Sequence, residues 1–418
     1  MNQPTYTVND RIYETPKTCA VAICIDGCEP DYFDEAIKAG VMPNLKRIKE
    51  TGTDRISHCV VPSFTNPNNL SIATGRPPSV HGICGNFVFV PETGEEVMMN
   101  DAKFLRAPTI FQTFADAGKR VMIVTAKDKL RTLLGFGLDF SEGKNMCFSA
   151  EKSGTSTVED HGMENASKWL GMPVPDVYSA ELSEFVFAAG VKLLKEEKPD
   201  ILYLTTTDYV QHKHAPGTPK ANEFYAMYDK YLGELDALGA AIIMTGDHGM
   251  NAKHKVDGTP DVIYLQDLLD GWLGEEKARV ILPITDPYVV HHGALGSYAT
   301  TYLQQEVDRE ALIDQLNAKE GIMTALSREA ACEKFELPPD RVGDIVIVSD
   351  KNVVLGTSEH RHDLSGLTEP LRSHGGISEQ RVPFIMNRVI DDLPNEPVLR
   401  NFDAYHYVTK AAAQENSN

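Results

Sequence analysis

Short apolar runs alternate with longer segments of helical periodicity over the first part of the chain. The runs contain too few polar residues to face water on one side, so they predict strands buried on both faces. They are Thr18–Gly27, Ser57–Val61, Arg120–Ala126, Asp200–Thr205 and Ala240–Met250. Helical spacing occupies 31–50, 108–118, 179–197 and 222–238, whereas 141–178 is poorly patterned and predicts loop. The alternation predicts an α/β fold with a mostly parallel central sheet flanked by helices.

The pattern changes from about residue 257. Strand-like runs occupy Ala278–Ile284, Val289–Tyr302 and Asp344–Val348, with helical spacing near 308–318 and 324–336. This mixture predicts a smaller α+β unit inserted into the larger one. We therefore assign residues 1–257 and 362–418 to a core domain and residues 258–361 to the insertion.

Composition narrows the classes of function. The chain has 418 residues, 42% of them apolar, and a net charge of −20, which argues against a nucleic-acid surface and against binding to anionic membranes. No apolar run approaches the roughly 20 residues that span a bilayer, and the N-terminus lacks a signal-peptide core. The seven cysteines form no C-x-x-C pair, so we expect a reduced, cytoplasmic protein. The sequence leaves the oligomeric state open and allows a homodimer.

Acids and histidines follow several of the predicted strands. In an open α/β sheet such positions meet at one edge, where ligands bind. The candidates are Asp26, Asp208, His212, Asp247, His248 and His374. Carboxylate and imidazole suit zinc, and six such groups together with Thr65 are too many for one tetrahedral ion and suit two.

Each candidate alone has a structural interpretation. A strand-end aspartate commonly forms a turn or caps a helix, and Thr65 stands where the N-cap of a helix is expected, with Pro67 in the first turn and Gly75 past the end. Other histidines, namely His291, His292, His360 and His362, have no strand-end acid beside them, so we interpret them as structural or loop-exposed.

Taken as a set, these segments resemble the alkaline phosphatase superfamily, and most of all its nucleotide pyrophosphatase/phosphodiesterase branch. The matching segments span nearly the whole chain. They are Ile25-Asp26-Gly27, Pro62 to Pro67, His81-Gly82-Ile83 with Asn86, Thr207-Asp208 with His212, Thr245 to Met250 and Ser373 to Gly376.

The resemblance implies a ligand set and a nucleophile. One zinc would be held by Asp208, His212 and His374. A second zinc would be held by Asp26, Asp247 and His248, with Thr65 as the nucleophile beside it, and the insertion would be a cap domain. Phosphoglycerate mutases of the same superfamily use serine, so Thr65 points away from them.

Within the branch, the similarity is greatest to enzymes that cleave the carbon–phosphorus bond of phosphonoacetate. It implies a hydrolase that forms acetate and phosphate through a phosphothreonine. The small-molecule phosphonate would contact Thr65, Asn86, Lys127, Lys129, His212 and His374.

Lys127 and Lys129 follow a predicted strand. On an extended segment residues two apart face the same side, so this pair would hold the substrate carboxylate as carbon takes up negative charge. As an alternative, both lysines are solvated loop charges.

Two other functions compete with this hypothesis. A phosphodiesterase or nucleotide pyrophosphatase would use the same metals and would want an aromatic slot for a base. A metal-binding protein without turnover would need no nucleophile, so Thr65 argues against it.

Overall fold

The computed structural model describes residues 4–284 and 294–414. The first part of the predicted strand Val289–Tyr302, with His291 and His292, lies outside the described residues. Within the described ranges, no helix combines the length and the apolar composition that crossing a membrane requires.

A seven-stranded sheet forms the centre of the larger unit. Arg381–Met386 runs antiparallel to both of its neighbours, and the other pairs of adjacent strands are parallel. In spatial order the strands are Thr53–His58, Arg381–Met386, Ala241–Thr245, Ala20–Cys24, Ile201–Thr205, Val121–Thr125 and Met146–Ser149. The predicted mostly parallel α/β sheet is confirmed.

Both faces of this sheet are buried. Along the Ala20–Cys24 strand, Ala22 and Cys24 pack into one hydrophobic core, while Val21 and Ile23 pack into a second core on the opposite face. The helices of this unit are Pro30–Lys38, Pro43–Thr51, Thr65–Thr74, Pro78–His81, Ile110–Asp116, Asp128–Leu134, Val158–His161, Ala166–Leu170, Glu181–Glu196, Tyr209–Lys213, Pro219–Ala237 and Ala404–Ala413.

A separate antiparallel sheet lies within the predicted insertion. In spatial order its strands are Ala278–Ile281, Tyr298–Leu303, Ile345–Ser349 and Ile322–Ser327. The helices of this region are Leu265–Leu273, Arg309–Asn317 and Arg328–Phe335. This is α+β structure, and the domain boundaries at 257 and 362 stay a prediction.

Short strand pairs complete the fold. Phe87–Val90 and Glu95–Met98 form a hairpin. The other pairs are Thr5–Val8 with Arg11–Glu14, Asn251–Ala252 with Arg372–Ser373, and Val262–Tyr264 with Val354–Gly356. The 3-10 turns are Ala102–Phe104, Ser141–Gly143, Ser153–Thr155, Pro339–Arg341, Glu359–Arg361, Ile377–Glu379 and Asn401–Asp403.

Several predicted boundaries are wrong. The strand predicted at Ser57–Val61 runs instead over Thr53–His58, because that segment pairs with Arg381–Met386. The helical segment 31–50 is two helices, since Gly40 adopts a left-handed φ of 77° and Pro43 starts a new helix.

The predictions missed several strands, among them Met146–Ser149 and Ile322–Ser327. Met146–Ser149 lies within the stretch predicted as loop and forms an edge of the large sheet against Val121–Thr125. Ile322–Ser327 overlaps the helix predicted at 324–336, which begins only after Ser327. The Ser327 side chain caps that helix by accepting a hydrogen bond from the Ala330 N–H. Both strands are short, so their own sequence pattern is a weak signal.

One buried ion pair lies where the predicted insertion meets the larger unit. The Lys253 Nζ lies 3.0 Å from Glu379 Oε1, and both side chains are fully buried. The same ammonium donates to the Lys351 carbonyl at 2.6 Å, and Glu379 Oε2 accepts the Gly376 N–H at 3.0 Å. The pair therefore joins Lys351 of the insertion to the loop that carries His374.

We predict that Lys253→Met destabilises the protein by about 3–5 kcal/mol, because it leaves the Glu379 carboxylate buried without its partner. Chemical denaturation followed by circular dichroism measures the change. The matched control is Lys220→Met, which breaks an exposed ion pair with Glu223 and should change stability very little. Equal stability of the two variants would contradict the prediction.

Candidate metal centre

The three aspartates among the predicted ligands reach one edge of the large sheet. Asp26 follows the strand Ala20–Cys24, Asp208 follows Ile201–Thr205, and Asp247 follows Ala241–Thr245. These three strands are adjacent and parallel, so their carboxyl ends lie side by side. All six candidate side chains are buried.

Asp208, His212 and His374 form a first compact donor set, with one ligand atom from each lying within 4.8 Å of the others. His212 Nε2 is 2.9 Å from Asp208 Oδ2, and His374 Nε2 is 3.6 Å from the same oxygen. The helix Tyr209–Lys213 starts directly after Asp208, and the His212 N–H donates to the Asp208 carbonyl at 2.9 Å. One helical turn therefore places the aspartate and the first histidine on the same side.

A second compact set contains Asp26, Asp208 and His248. His248 Nε2 lies 3.1 Å from Asp26 Oδ1, and Asp208 is common to both sets. Asp247 stands beside this set, with its Oδ2 3.9 Å from His248 Nε2. Its Oδ1 accepts the N–H groups of Gly27 and His248, and its Oδ2 accepts the Asn69 amide.

All three histidines are held in the same orientation. Each Nδ1 lies at hydrogen-bond distance from a backbone carbonyl: His212 from Arg372 at 2.8 Å, His374 from Ser63 at 2.7 Å and His248 from Gly249 at 2.9 Å. Because a carbonyl only accepts, each Nδ1 carries the proton. Each Nε2 therefore faces the cluster, where it can bind a metal ion in place of a proton, and metal-binding imidazoles are oriented in this way.

The charges at this edge favour a bound cation. Burial, together with the charges of Asp208 and Asp247, raises the pKa of the Asp26 carboxyl well above its ordinary value. Burial acts to lower the pKa of His248, but Asp247, Asp26 and Asp208 together raise it to about 10. Asp26 Oδ1 and His248 Nε2 are buried without a hydrogen-bond partner of good geometry. A divalent cation between them would satisfy both atoms and offset the carboxylate repulsion.

Thr65 is the first residue of the helix Thr65–Thr74, and Phe64 is its N-cap. The predicted capping role of Thr65 is therefore wrong by one residue, whereas Gly75 ends the helix in the left-handed region as expected. Phe64 occupies the cap with extended backbone and makes no side-chain cap bond. The Thr65 hydroxyl therefore does not cap the helix. Thr65 lines a cavity together with Asp26 and Asp208.

Asn86 lines the same cavity with a fixed amide. Its Oδ1 accepts the Asn66 N–H at 3.1 Å. Because the oxygen is used in this way, the Nδ2 group is the part of the amide that remains to donate to a ligand.

Lys127 and Lys129 also line this cavity, but the local backbone differs from the extended segment that we predicted. They do not lie on an extended segment: Lys127 is the N-cap of the helix Asp128–Leu134, and Lys129 belongs to its first turn. The Glu151 carboxylate accepts the Asp128 N–H at 2.9 Å and holds this helix start. Burial acts to raise the pKa of Asp208, but His212, His374 and Lys127 outweigh it and lower that pKa. Lys127 is thus in electrostatic contact with the cluster.

The cavity itself is small, about 80 Å³. Sequence reasoning missed several of its lining residues, which carry no charge and belong to no metal-like motif: Asn66, Met98, Asn100, Ala126, Leu130, Thr206 and Ile284. Met98 ends the hairpin strand Glu95–Met98, and nothing in the pattern of that segment indicates that it lies near the site.

Comparison with solved structures gives near-complete matches. Phosphonoacetate hydrolase from Sinorhizobium meliloti 1021 was solved in complex with phosphonoacetate and with phosphonoformate. It is 68% identical, and each match covers 99% of this chain and 100% of that one with a TM-score of 0.97. Murine ectonucleotide pyrophosphatase/phosphodiesterase 5 is 19% identical over 96% of this chain and 97% of its own, with a TM-score of 0.63, and shares the fold.

Among curated proteins the similarity is more distant and partial. An uncharacterized pyrophosphatase/phosphodiesterase of Schizosaccharomyces pombe is 24% identical over 257 residues, which are 56% of this chain and 45% of that protein. Human ectonucleotide pyrophosphatase/phosphodiesterase family member 1 is 27% identical over 261 residues, 57% of this chain and 24% of that protein. This chain therefore spans less than half the length of these two relatives.

The family model of type I phosphodiesterase / nucleotide pyrophosphatase matches residues 20–377. That range contains both compact donor sets, the cavity and the nucleophile candidate. This chain therefore belongs to the type I phosphodiesterase / nucleotide pyrophosphatase family.

Proposed function

We propose that this chain hydrolyses the carbon–phosphorus bond of phosphonoacetate to acetate and phosphate. The observation that carries the proposal is the 68% identity, over 99% of the chain, to a hydrolase solved with that compound. The site supports it, because two lysines, a threonine and members of both donor sets line one cavity of about 80 Å³.

The proposal includes two zinc ions. Asp208, His212 and His374 would hold one. Asp26 and His248 of the second set, with Asp247 beside them, would hold the other next to Thr65. Bound zinc would polarise the phosphonate oxygens and favour ionisation of the threonine hydroxyl.

Thr65 is the proposed nucleophile. Its Oγ would attack phosphorus and form a phosphothreonine, which water then hydrolyses to phosphate and free threonine. The start of the Thr65–Thr74 helix carries partial positive charge, which favours an anion there. The Asn86 amide and the Thr65 N–H would donate to the phosphoryl oxygens as negative charge builds on them.

The lysines would serve the leaving group. When the carbon–phosphorus bond breaks, its electron pair stays on carbon and delocalises into the adjacent carboxylate as an enediolate. The ammonium groups of Lys127 and Lys129 would stabilise that charge, and protonation of carbon then gives acetate.

Phosphodiester or nucleotide pyrophosphate hydrolysis is the alternative on the same metals. Sites for drug-sized ligands occupy roughly 300–1,000 Å³, far more than the cavity beside Thr65. Among the described residues lining that cavity, none is Phe, Tyr or Trp. An adjoining depression of about 750 Å³ shares both lysines and contains Tyr178, so it offers the space that a nucleotide would need. Comparing phosphate release from phosphonoacetate with hydrolysis of bis-p-nitrophenyl phosphate separates the two functions, and a storage protein would do neither.

A reducing compartment such as the cytoplasm suits this chain. All seven cysteines are free thiols, and five of them are buried. Burial raises the pKa of thiols such as Cys24 and Cys59, which keeps them unreactive.

The purified protein should contain close to two zinc ions per chain, lost to chelators together with activity. His374→Ala removes one nitrogen donor, so it should weaken zinc binding with Asp208 and His212 by more than about 100-fold, beyond the usual cost of losing an outer partner. Chelator competition with metal analysis measures this. His254→Ala, whose Nδ1 contacts only the neighbouring Lys255 carbonyl, is the control. Equal weakening of both zinc ions would refute the ligand partition.

Thr65→Ala should keep the fold and both metals, because the hydroxyl makes no capping bond, while turnover falls by several orders of magnitude. The comparison is Thr132→Ala, whose hydroxyl bonds only to carbonyls of its own helix. Phosphate release and thermal melting are measured on both variants. Near-normal turnover in Thr65→Ala would mean that water attacks phosphorus directly.

Lys127→Ala or Lys129→Ala should lower kcat/KM for phosphonoacetate at least about tenfold, since a charge-assisted contact is worth roughly 1.5–3 kcal/mol. Hydrolysis of an aryl phosphate without a carboxylate should change little, because its leaving group needs no such help. Lys152→Ala provides the control, as Lys152 borders the adjoining depression but not the cavity. A parallel fall of both activities would show that the lysines are structural or bind the phosphoryl group.

A further inference from the structure

Arg372 is a buried cation held by neutral groups. Its side chain lies behind the donor sets, with the residue only 8% exposed. The Nε donates to the Gln211 carbonyl at 2.9 Å, and Nη2 lies 3.2 Å from both the Met250 carbonyl and the Tyr32 hydroxyl oxygen. Within residues 4–284 and 294–414, no carboxylate forms an ion pair with it.

This arrangement is unusual, since a buried charge is commonly paired with an opposite one. The partners of Arg372 indicate what it does instead. Gln211 precedes His212, Met250 lies two residues after His248, and Arg372 itself lies two residues before His374. One planar guanidinium therefore joins the segments that carry all three histidines of the two donor sets.

The backbone of Arg372 adds a fourth contact. Its carbonyl is the acceptor that orients His212 through Nδ1 at 2.8 Å. Residues Arg372–Ser373 also pair as a short strand with Asn251–Ala252, which follow His248. Tyr32, which accepts from Arg372, donates in turn to the His214 carbonyl at 2.7 Å. The guanidinium thus lies at the centre of a set of bonds that crosses between the histidine-bearing segments.

We propose that Arg372 is a positioning residue of the metal centre, acting through His212 and His374 rather than touching metal or substrate. The inference rests on the proposed two-metal site. By fixing the spacing of these segments before any ion arrives, Arg372 lowers the cost of ordering the ligands when an ion binds.

The direction in which zinc affinity changes when Arg372 is replaced distinguishes a positioning role from a purely electrostatic one. Arg372 has the same sign of charge as the cations the site would hold, so by charge alone its removal should tighten metal binding. Positioning predicts the reverse, because the ligand-bearing segments lose their common anchor. Arg372→Met keeps most of the packed stem and removes the charge and the hydrogen bonds. Arg372→Lys keeps the charge and loses the planar fork that reaches several acceptors.

Arg388 provides a matched control. Its guanidinium likewise donates to backbone carbonyls, those of Asn387, Gly239 and Ala240. Gly239 and Ala240 precede the strand Ala241–Thr245, so these bonds lie at the opposite end of the sheet from the donor sets. Arg388→Met therefore removes a comparable set of bonds without touching a ligand-bearing segment.

The experiment measures zinc affinity of the full chain by chelator competition, starting from metal-free protein, for the unaltered chain and these three variants. We expect Arg372→Met to bind zinc about 10–100-fold more weakly, the range for loss of an outer partner. The ion held with His212 and His374 should be affected most. Arg372→Lys should also bind zinc more weakly, and Arg388→Met should match the unaltered chain. Circular dichroism of the metal-free proteins checks that each is folded.

Tighter or unchanged zinc binding in folded Arg372→Met would overturn the proposal. If that variant does not fold, Arg372→Lys decides: unaltered affinity in it overturns the proposal, and weakened affinity supports it. An equal loss in Arg388→Met would show a general effect of stability and also overturn it. Failure of the proposed function would give a different result. In that case the unaltered chain would bind no pair of zinc ions or would leave phosphonoacetate intact.

Discussion

The burial of three carboxylates at one edge of a parallel sheet is the constraint on which the rest of this site depends. Asp26, Asp208 and Asp247 follow adjacent strands, and burial together with the charges of the neighbouring carboxylates raises the pKa of Asp26 and of Asp247. A fold that held only these acids would be strained. The cost of burying these carboxylates is offset by N–H donors, by three imidazoles and by the space for cations between them. The acids and the histidines therefore form one unit.

The loops complete what the strands begin. His374 reaches the acids from a segment far along the chain, and its position depends on close packing at Gly375. That residue has a φ of 121°, and a Cβ there would overlap the ring of Phe64. Phe64 caps the helix that starts with Thr65, so the loop that brings the last imidazole packs directly against the residue preceding the proposed nucleophile. The proposed metal ligand His374 and the proposed nucleophile Thr65 therefore depend on the same packing at Phe64.

The sequence predicted the parts that depend on local pattern. Apolar periodicity and turn residues predict the strand Ala241–Thr245 and the acid that follows it. The spacing of Asp208 and His212 by one helical turn is also a local feature of the sequence. The start of the helix after Lys127 could not be predicted from the local sequence, because the acceptor of the Asp128 N–H is Glu151, more than twenty residues away. The amide of Asn86 is likewise set by Asn66, and neither contact leaves a signal in the pattern of either segment.

The position of Lys127 and Lys129 beside the donor sets would let a site of this family cleave a carbon–phosphorus bond in preference to a phosphodiester. His212, His374 and Lys127 together lower the pKa of Asp208, although the chain as a whole carries a charge of −20. Phosphonoacetate presents a phosphonate and a carboxylate on the same carbon, so it would span the metal locus and the lysine locus at once. A phosphodiester whose leaving group has no carboxylate would lack the second charged group that the lysines would bind, so it would gain less from them.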